Sequence, residues 1–152
     1  KGRWAGLQAD QLHREFLTPL CSPMLFQGPK PLSSLSDLRH HVLLHDLSRT
    51  AWKNWLKHVG VVGVNVNQGP VFSHSMLVLQ AAALGQGIAL GNTILARPEI
   101  EAGRLVMPFE ERVESRDAFY LVCEESQAEL GKIAAFRDWI LALVEAEQED
   151  LL

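Results

Sequence analysis

No stretch of this 152-residue chain reads as a membrane span. The most apolar segment, Met76 to Leu95, is broken by Gln80, Gly85, Gln86, Gly87, Gly91 and Asn92, too many polar and helix-weakening positions for a spanning helix. The first residues, Lys1-Gly2-Arg3-Trp4-Ala5-Gly6-Leu7, resemble neither a signal nor a transit peptide, so a cytoplasmic location is expected. Cysteine is scarce. Cys21 and Cys123 are the only two, and both fall in apolar, strand-like runs. That excludes a disulfide framework and predicts two buried, reduced thiols. Positive charge is also in short supply. Fourteen basic residues face eighteen acidic ones, for a net charge of −4. A segment with that balance lacks the basic face that gripping phosphates requires.

Catalytic and cofactor motifs are missing as well. There is no Gly-x-Ser-x-Gly elbow, no Cys-x-x-Cys and no His-Glu-x-x-His. Gly85-Gln86-Gly87 lacks both phosphate-loop spacings. It also leads from a helix into a strand, the wrong way round to aim a helix amino end at a phosphate. The six histidines (His13, His40, His41, His45, His58 and His74) show no ligand spacing and read as surface or capping residues. The expectation is a protein that is not an enzyme and holds neither metal nor cofactor.

What is present is an ordinary globular composition, 47% apolar and 21% charged, too apolar and too weakly charged for disorder. Strand and helix signals alternate. Phe16 to Cys21 reads as a strand, with Pro19 marking an edge or bulge. Ser34 and Asp37 start a short helix, and Val42 to His45 is a strand. Ser48 caps a helix whose Trp52, Trp55, Leu56 and Val59 form one core-facing stripe, and Gly60 closes it. Gly69 to Phe72 is a strand, followed by a helix from Met76 to Leu84 that is apolar nearly all round and expected to be buried on most sides. Gly87 to Leu90 is the next strand. A helix is predicted from about Pro98 to Gly103. Leu105-Val106 and Ala118 to Val122 are the last strands. Ser126 and Glu129 form a Ser-x-x-Glu box opening a final helix striped by Ile133, Phe136, Ile140 and Val144, with a solvated acidic end from Glu145 to Asp150.

This order predicts an α/β fold with a mostly parallel sheet covered on both faces. Such sheets gather ligand sites at the carboxyl ends of their strands. The turns Asp46-Leu47-Ser48, Ser73-His74-Ser75 and Gly91-Asn92-Thr93 are therefore the places to examine. At Ser73-His74-Ser75 a helix amino end and two hydroxyls suit an anion; a plainly capped helix is the alternative.

Taken together the motifs resemble one family. Leu20-Cys21-Ser22-Pro23, Pro31-Leu32, Asp37-Leu38, His41 to Asp46 with Trp52, Gly69 to Ser73, and Gln80-Ala81-Ala82 lead the match. Gly85 to Leu90, Ala102 to Val106, Pro108-Phe109, Tyr120 to Cys123 and Ala135 to Ile140 complete it. In this order and spacing they resemble the regulatory domain of LysR-type transcriptional regulators, across essentially the whole chain. The resemblance implies a periplasmic-binding-protein-like (type 2) fold of two α/β lobes, the second complete and the first partial. Residues 1–21 would end lobe one and form the first crossover strand, 22–117 would be the second lobe, and 118–152 the return crossover and last helix. It implies a small-molecule effector between the lobes, glycine or a purine from the branch it is most like. It also implies DNA contact through a winged helix-turn-helix upstream of Lys1 and outside this chain, a homo-oligomer (dimer or tetramer), and no membrane. Effector contacts would fall on Ser73, His74, Ser75, Phe119, Asp46 and Ser48. A solute-binding protein of a transport system would share the lobes and is the competing expectation.

Overall fold

In the computed structural model, which describes residues 2–149, the chain divides into two compact units. One is continuous, from Phe16 to Glu114. The other joins the two ends of the chain, residues 1–15 and 115–152. Two long strands run through both: β1 (Leu7–Leu20) and β5 (Val113–Glu124).

The continuous unit is built on a sheet in which β2 (Leu43–Asp46) lies between β3 (Val71–Phe72) and β4 (Ile88–Asn92), parallel to both. The end of β1 adds to β4 antiparallel, pairing Leu17 with Asn92 and Leu20 with Ala89. Strand periodicity sorts the side chains. Leu44, Ala89 and Leu20 enter one core, under α2 (Ser75–Ala83) and α3 (Thr93–Glu101). Leu43, Ile88, Leu90 and Cys21 enter another, under α1 (Thr50–His58). A sheet buried on both faces explains why its strands are apolar throughout.

α1 packs as its stripe predicts. Trp52 and Trp55 are each 1% exposed and meet edge to face, with ring centroids 5.8 Å apart. Their indole N–H groups donate to the carbonyls of Leu44 and Leu17 at 3.0 and 3.2 Å, as buried indoles must. Gly60 ends the helix at φ +74°. Gly69, at φ +93°, passes so close to β2 that a Cβ would land on the Leu43 carbonyl oxygen.

Several local expectations are corrected. α3 starts at Thr93, not Pro98: the Asn92 carboxamide accepts from Ile94 N at 2.7 Å and caps it, and Pro98 lies inside the helix. α2 buries only Val78, Leu79, Ala81 and Ala82, while Met76 and Leu77 remain nearly half exposed. Leu105-Val106 contributes one antiparallel bridge, Val106 to Cys21, not a strand. The short helix after Ser34 is a 3-10 turn, Leu35–His40. β1 is more than twice the expected length, because its polar first half shows no apolar alternation.

In the terminal unit β1 and β5 are neighbours, Trp4 meets Tyr120 edge to face at 5.4 Å, and Glu125 N donates to the Gly6 carbonyl at 3.0 Å. Ser126 does not open the last helix. Glu125–Gln127 is a 3-10 turn, and α4 (Gly131–Glu149) begins after it. Ile133 and Phe136 line a cavity of about 370 Å³ with Leu121 and Cys123 of β5 and take no part in either core of the continuous unit. Phe136 is 51% exposed. Both thiols are free; Cys21 is buried but Cys123 is only half-buried, contrary to expectation. Asp150, at the predicted acidic end, lies outside the described residues. No helix among the described residues is long and apolar enough to cross a membrane.

Candidate functional site

The parallel register of β2 and β3 sets His45 beside Val71 and Asp46 beside Phe72. Both strands therefore end level, and the two turns that follow are neighbours. Leu47 takes φ +54°, unusual for a branched residue, inside a tight turn in which Ser48 N donates to the Asp46 carbonyl at 2.5 Å. Leu47 N donates in turn to the Phe72 carbonyl at 2.9 Å.

Across this junction Ser75 Oγ donates to Asp46 Oδ2 at 2.5 Å. Oδ1 of the same carboxylate is buried and has no partner among the described residues. Ser75 is the first residue of α2, so the acid sits at a helix amino end, where negative charge is favoured. His74 occupies the cap position with no side-chain cap bond. Its Nδ1 lies 2.9 Å from Ser73 Oγ, and both residues are exposed.

Asp46, Ser73, His74 and Ser75 are thus one cluster, two of them joined directly. Ser48 adjoins it. Its hydroxyl accepts from Thr50 N at 3.4 Å, while the helix cap position falls to Arg49, one residue later than expected. Phe119 lies on β5 in the terminal unit and is 38% exposed. The Ser75 hydroxyl, expected as a free donor, has its proton engaged by Asp46.

Two residues that hold this site, Arg49 and His45, were not among the candidate contacts. Arg49 donates to the carbonyls of Gln68 at 2.9 Å, Gly69 at 2.8 Å and Val66 at 3.4 Å, tying down the segment before β3. A cation at a helix start opposes the helix dipole, and that local conflict was the available signal. His45 is a core residue, 1% exposed, and not a surface histidine. Its Nε2–H donates to the Gln68 carbonyl at 2.8 Å, while Nδ1 is buried and has no partner among the described residues. Burial, chiefly, and then the Arg49 charge pull its pKa below the ordinary value. Asn92, 4% exposed, closes the third turn. Among the described residues no group of three or more His, Cys, Asp or Glu could hold a metal ion.

An α/β sheet with its polar turns gathered at one edge is the arrangement in which such folds place ligands, and the LysR substrate binding domain model, an effector-binding module, matches residues 1–145. The chain belongs to that family. It is 57% identical over 149 residues to the glycine cleavage system transcriptional activator of Escherichia coli (strain K12), covering 98% of this chain and 49% of that protein. It is 37% identical, with the same coverage, to the homolog of that activator in Haemophilus influenzae. The effector domain of the transcriptional regulator AmpR of Pseudomonas aeruginosa superposes with a TM-score of 0.80 at 28% identity, over 99% of this chain and 72% of that one. The fold is accordingly the periplasmic-binding-protein-like type 2 fold of LysR effector domains. The chain spans about half the length of the curated relatives it matches. Those relatives are transcriptional regulators, and the solute-transport reading has no support among them.

Proposed function

We propose that this chain is the effector-sensing part of a cytoplasmic LysR-type activator of glycine cleavage genes. The observation that carries the reading is the 57% identity to the Escherichia coli activator over 98% of the chain. In this reading residues 22–117 are the second lobe, DNA contact belongs to a winged helix-turn-helix elsewhere in the protein, and the regulator works as a homo-oligomer. The chain itself performs no catalytic step.

The effector is a small polar molecule, glycine or a purine, seated on the cluster of Asp46, Ser48, Ser73, His74 and Ser75. Exposed donors at a helix amino end beside a carboxylate with one unpartnered oxygen support that placement. Phe119 is retained as a separate candidate. The test is calorimetry of the full-length regulator with glycine and with purines, alongside a glycine-cleavage promoter reporter. Ser73→Ala and His74→Ala should each weaken effector affinity about tenfold, the value of one hydrogen bond to a charged group, with DNA affinity unchanged. Unaltered affinity in both folded variants refutes the placement. Loss of reporter response to every glycine and purine condition in the unmodified regulator refutes the function.

A further inference from the structure

A second cavity lies at the opposite, amino end of β2, in the continuous unit. It has a volume of about 220 Å³. One wall is the end of the 3-10 turn and the residues after it, Arg39, His40 and His41. The facing wall is the segment before β3, with Asn65 and Gln68. No acidic side chain lines it. Asp37, whose charge interacts with both histidines, has its Oδ2 occupied by Ser33 N at 3.1 Å, Ser34 N at 2.8 Å and Ser34 Oγ at 2.8 Å.

The donors on the first wall are only partly used. Arg39 Nε–H donates to His40 Nε2 at 3.2 Å. That bond places the neutral His40 proton on Nδ1 and leaves the terminal guanidinium nitrogens available. His41 Nε2 is buried and has no partner among the described residues, an arrangement that costs stability unless something meets it. Basic residues at a helix end can simply answer the helix dipole. Here the turn is six residues long and its last carbonyls are partly met by the backbone, with His41 N on the Leu38 carbonyl at 3.2 Å. That explanation leaves His41 Nε2 unmet.

We infer that this cavity is an oxyanion site, taking one tetrahedral anion of the sulfate or phosphate class between Arg39, His40 and His41, with Asn65 and Gln68 as neutral donors. Guanidinium and imidazolium are the strongest oxyanion donors available to a protein. The inference is independent of the effector cluster, which lies at the other end of the same strand. Because burial, first of all, holds the His41 imidazole below its ordinary pKa, anion capture draws a proton onto that ring. The charged groups acting on it are Asp37 and His40 from the 3-10 turn and Lys30 from the preceding loop, and the ring also bonds the Lys30 backbone, so Nε2 alone is left for an anion.

Sulfate is the probe, since its own charge is constant across the neutral range. It is titrated into the isotope-labelled chain at pH 6 and pH 8, at ionic strength matched with chloride, following the histidine ring resonances. His40 and His41 should shift saturably, with affinity about fivefold or more higher at pH 6. Arg39→Gln should weaken binding about tenfold at both values, and His41→Gln should remove most of the pH dependence. Amide exchange of residues 64–69 in the unmodified chain should slow on saturation, a readout that needs no variant. Parallel titrations with inorganic phosphate and with a phosphate monoester separate a free anion from an esterified one. Absence of a saturable shift, or affinity identical at the two pH values, overturns the site.

Discussion

The bond between Ser75 and Asp46 carries a measurable consequence for folding. It joins the first residue of α2 to the last of β2, 29 positions away. Ser75→Ala deletes the donor and leaves a half-buried carboxylate with Oδ2 newly unpaired and Oδ1 already so. A hydrogen bond to a charged group contributes about 1.5–3 kcal/mol. Part of that is recovered by water at a half-buried position, so a loss of about 1–2 kcal/mol is expected. Asp46→Asn keeps an acceptor and loses the charge, and should cost roughly half as much, since charge assistance about doubles such a bond. Urea unfolding measures both, with Trp4 and Trp139 replaced by Phe so that emission reports the buried Trp52 and Trp55. Completing the cycle with Asp46→Ala and the double variant isolates the pair, for which a coupling of about 1 kcal/mol or more is expected. A coupling indistinguishable from zero would show that the two side chains do not hold the β2 and α2 ends together.

Two further outcomes follow from buried groups. His45 has a folded-state pKa below the ordinary 6.5, from burial first and the Arg49 charge next, so the unfolded chain binds the proton more readily. Stability from this group is fully present above pH 6.5 and declines as pH falls through the folded value; His41 acts in the same direction. Urea midpoints should fall between pH 7.5 and 5.5, and His45→Gln should flatten that slope; a slope unchanged by the substitution refutes the assignment. Gly69→Ala places a Cβ against the Leu43 carbonyl at φ +93° and should cost at least about 2 kcal/mol, with a thermal melt near that of the parent counting against it.

The elements were legible where a local pattern carried tertiary information. The Trp52, Trp55, Leu56 stripe announced α1, and the apolar runs at 42–44 and 88–90 announced a sheet covered on two faces. Reading failed where two local signals competed. Pro98 suits a helix start, but the Asn92 carboxamide reaches the Ile94 N–H, four residues earlier, and decides the boundary. Ser126 and Glu129 form a plausible box, yet burial of Ala128 at 2% exposure fixes a turn there and delays α4. The candidate site shows the same divide. Its turns were found by the strand-to-helix rule, because that rule is local. The pairing of Asp46 with Ser75 depends on a parallel register that no short window encodes. His45 looked like a surface residue for the same reason: its partner, the Gln68 carbonyl, is 23 residues away.

The terminal unit is assembled from both ends of the chain, with residues 16–114 inserted between them. Forming it first would require closing a loop of roughly 100 residues, an entropic cost of about 4 kcal/mol before any contact is made. The inserted unit closes that loop by its own folding: Thr18 Oγ1, near its start, donates to the Glu111 carbonyl near its end at 3.0 Å. The middle of the chain can fold as an uninterrupted piece, and its folding brings the flanking segments close together. A destabilising change in the middle segment should consequently raise the loop-closure cost that the terminal unit must meet.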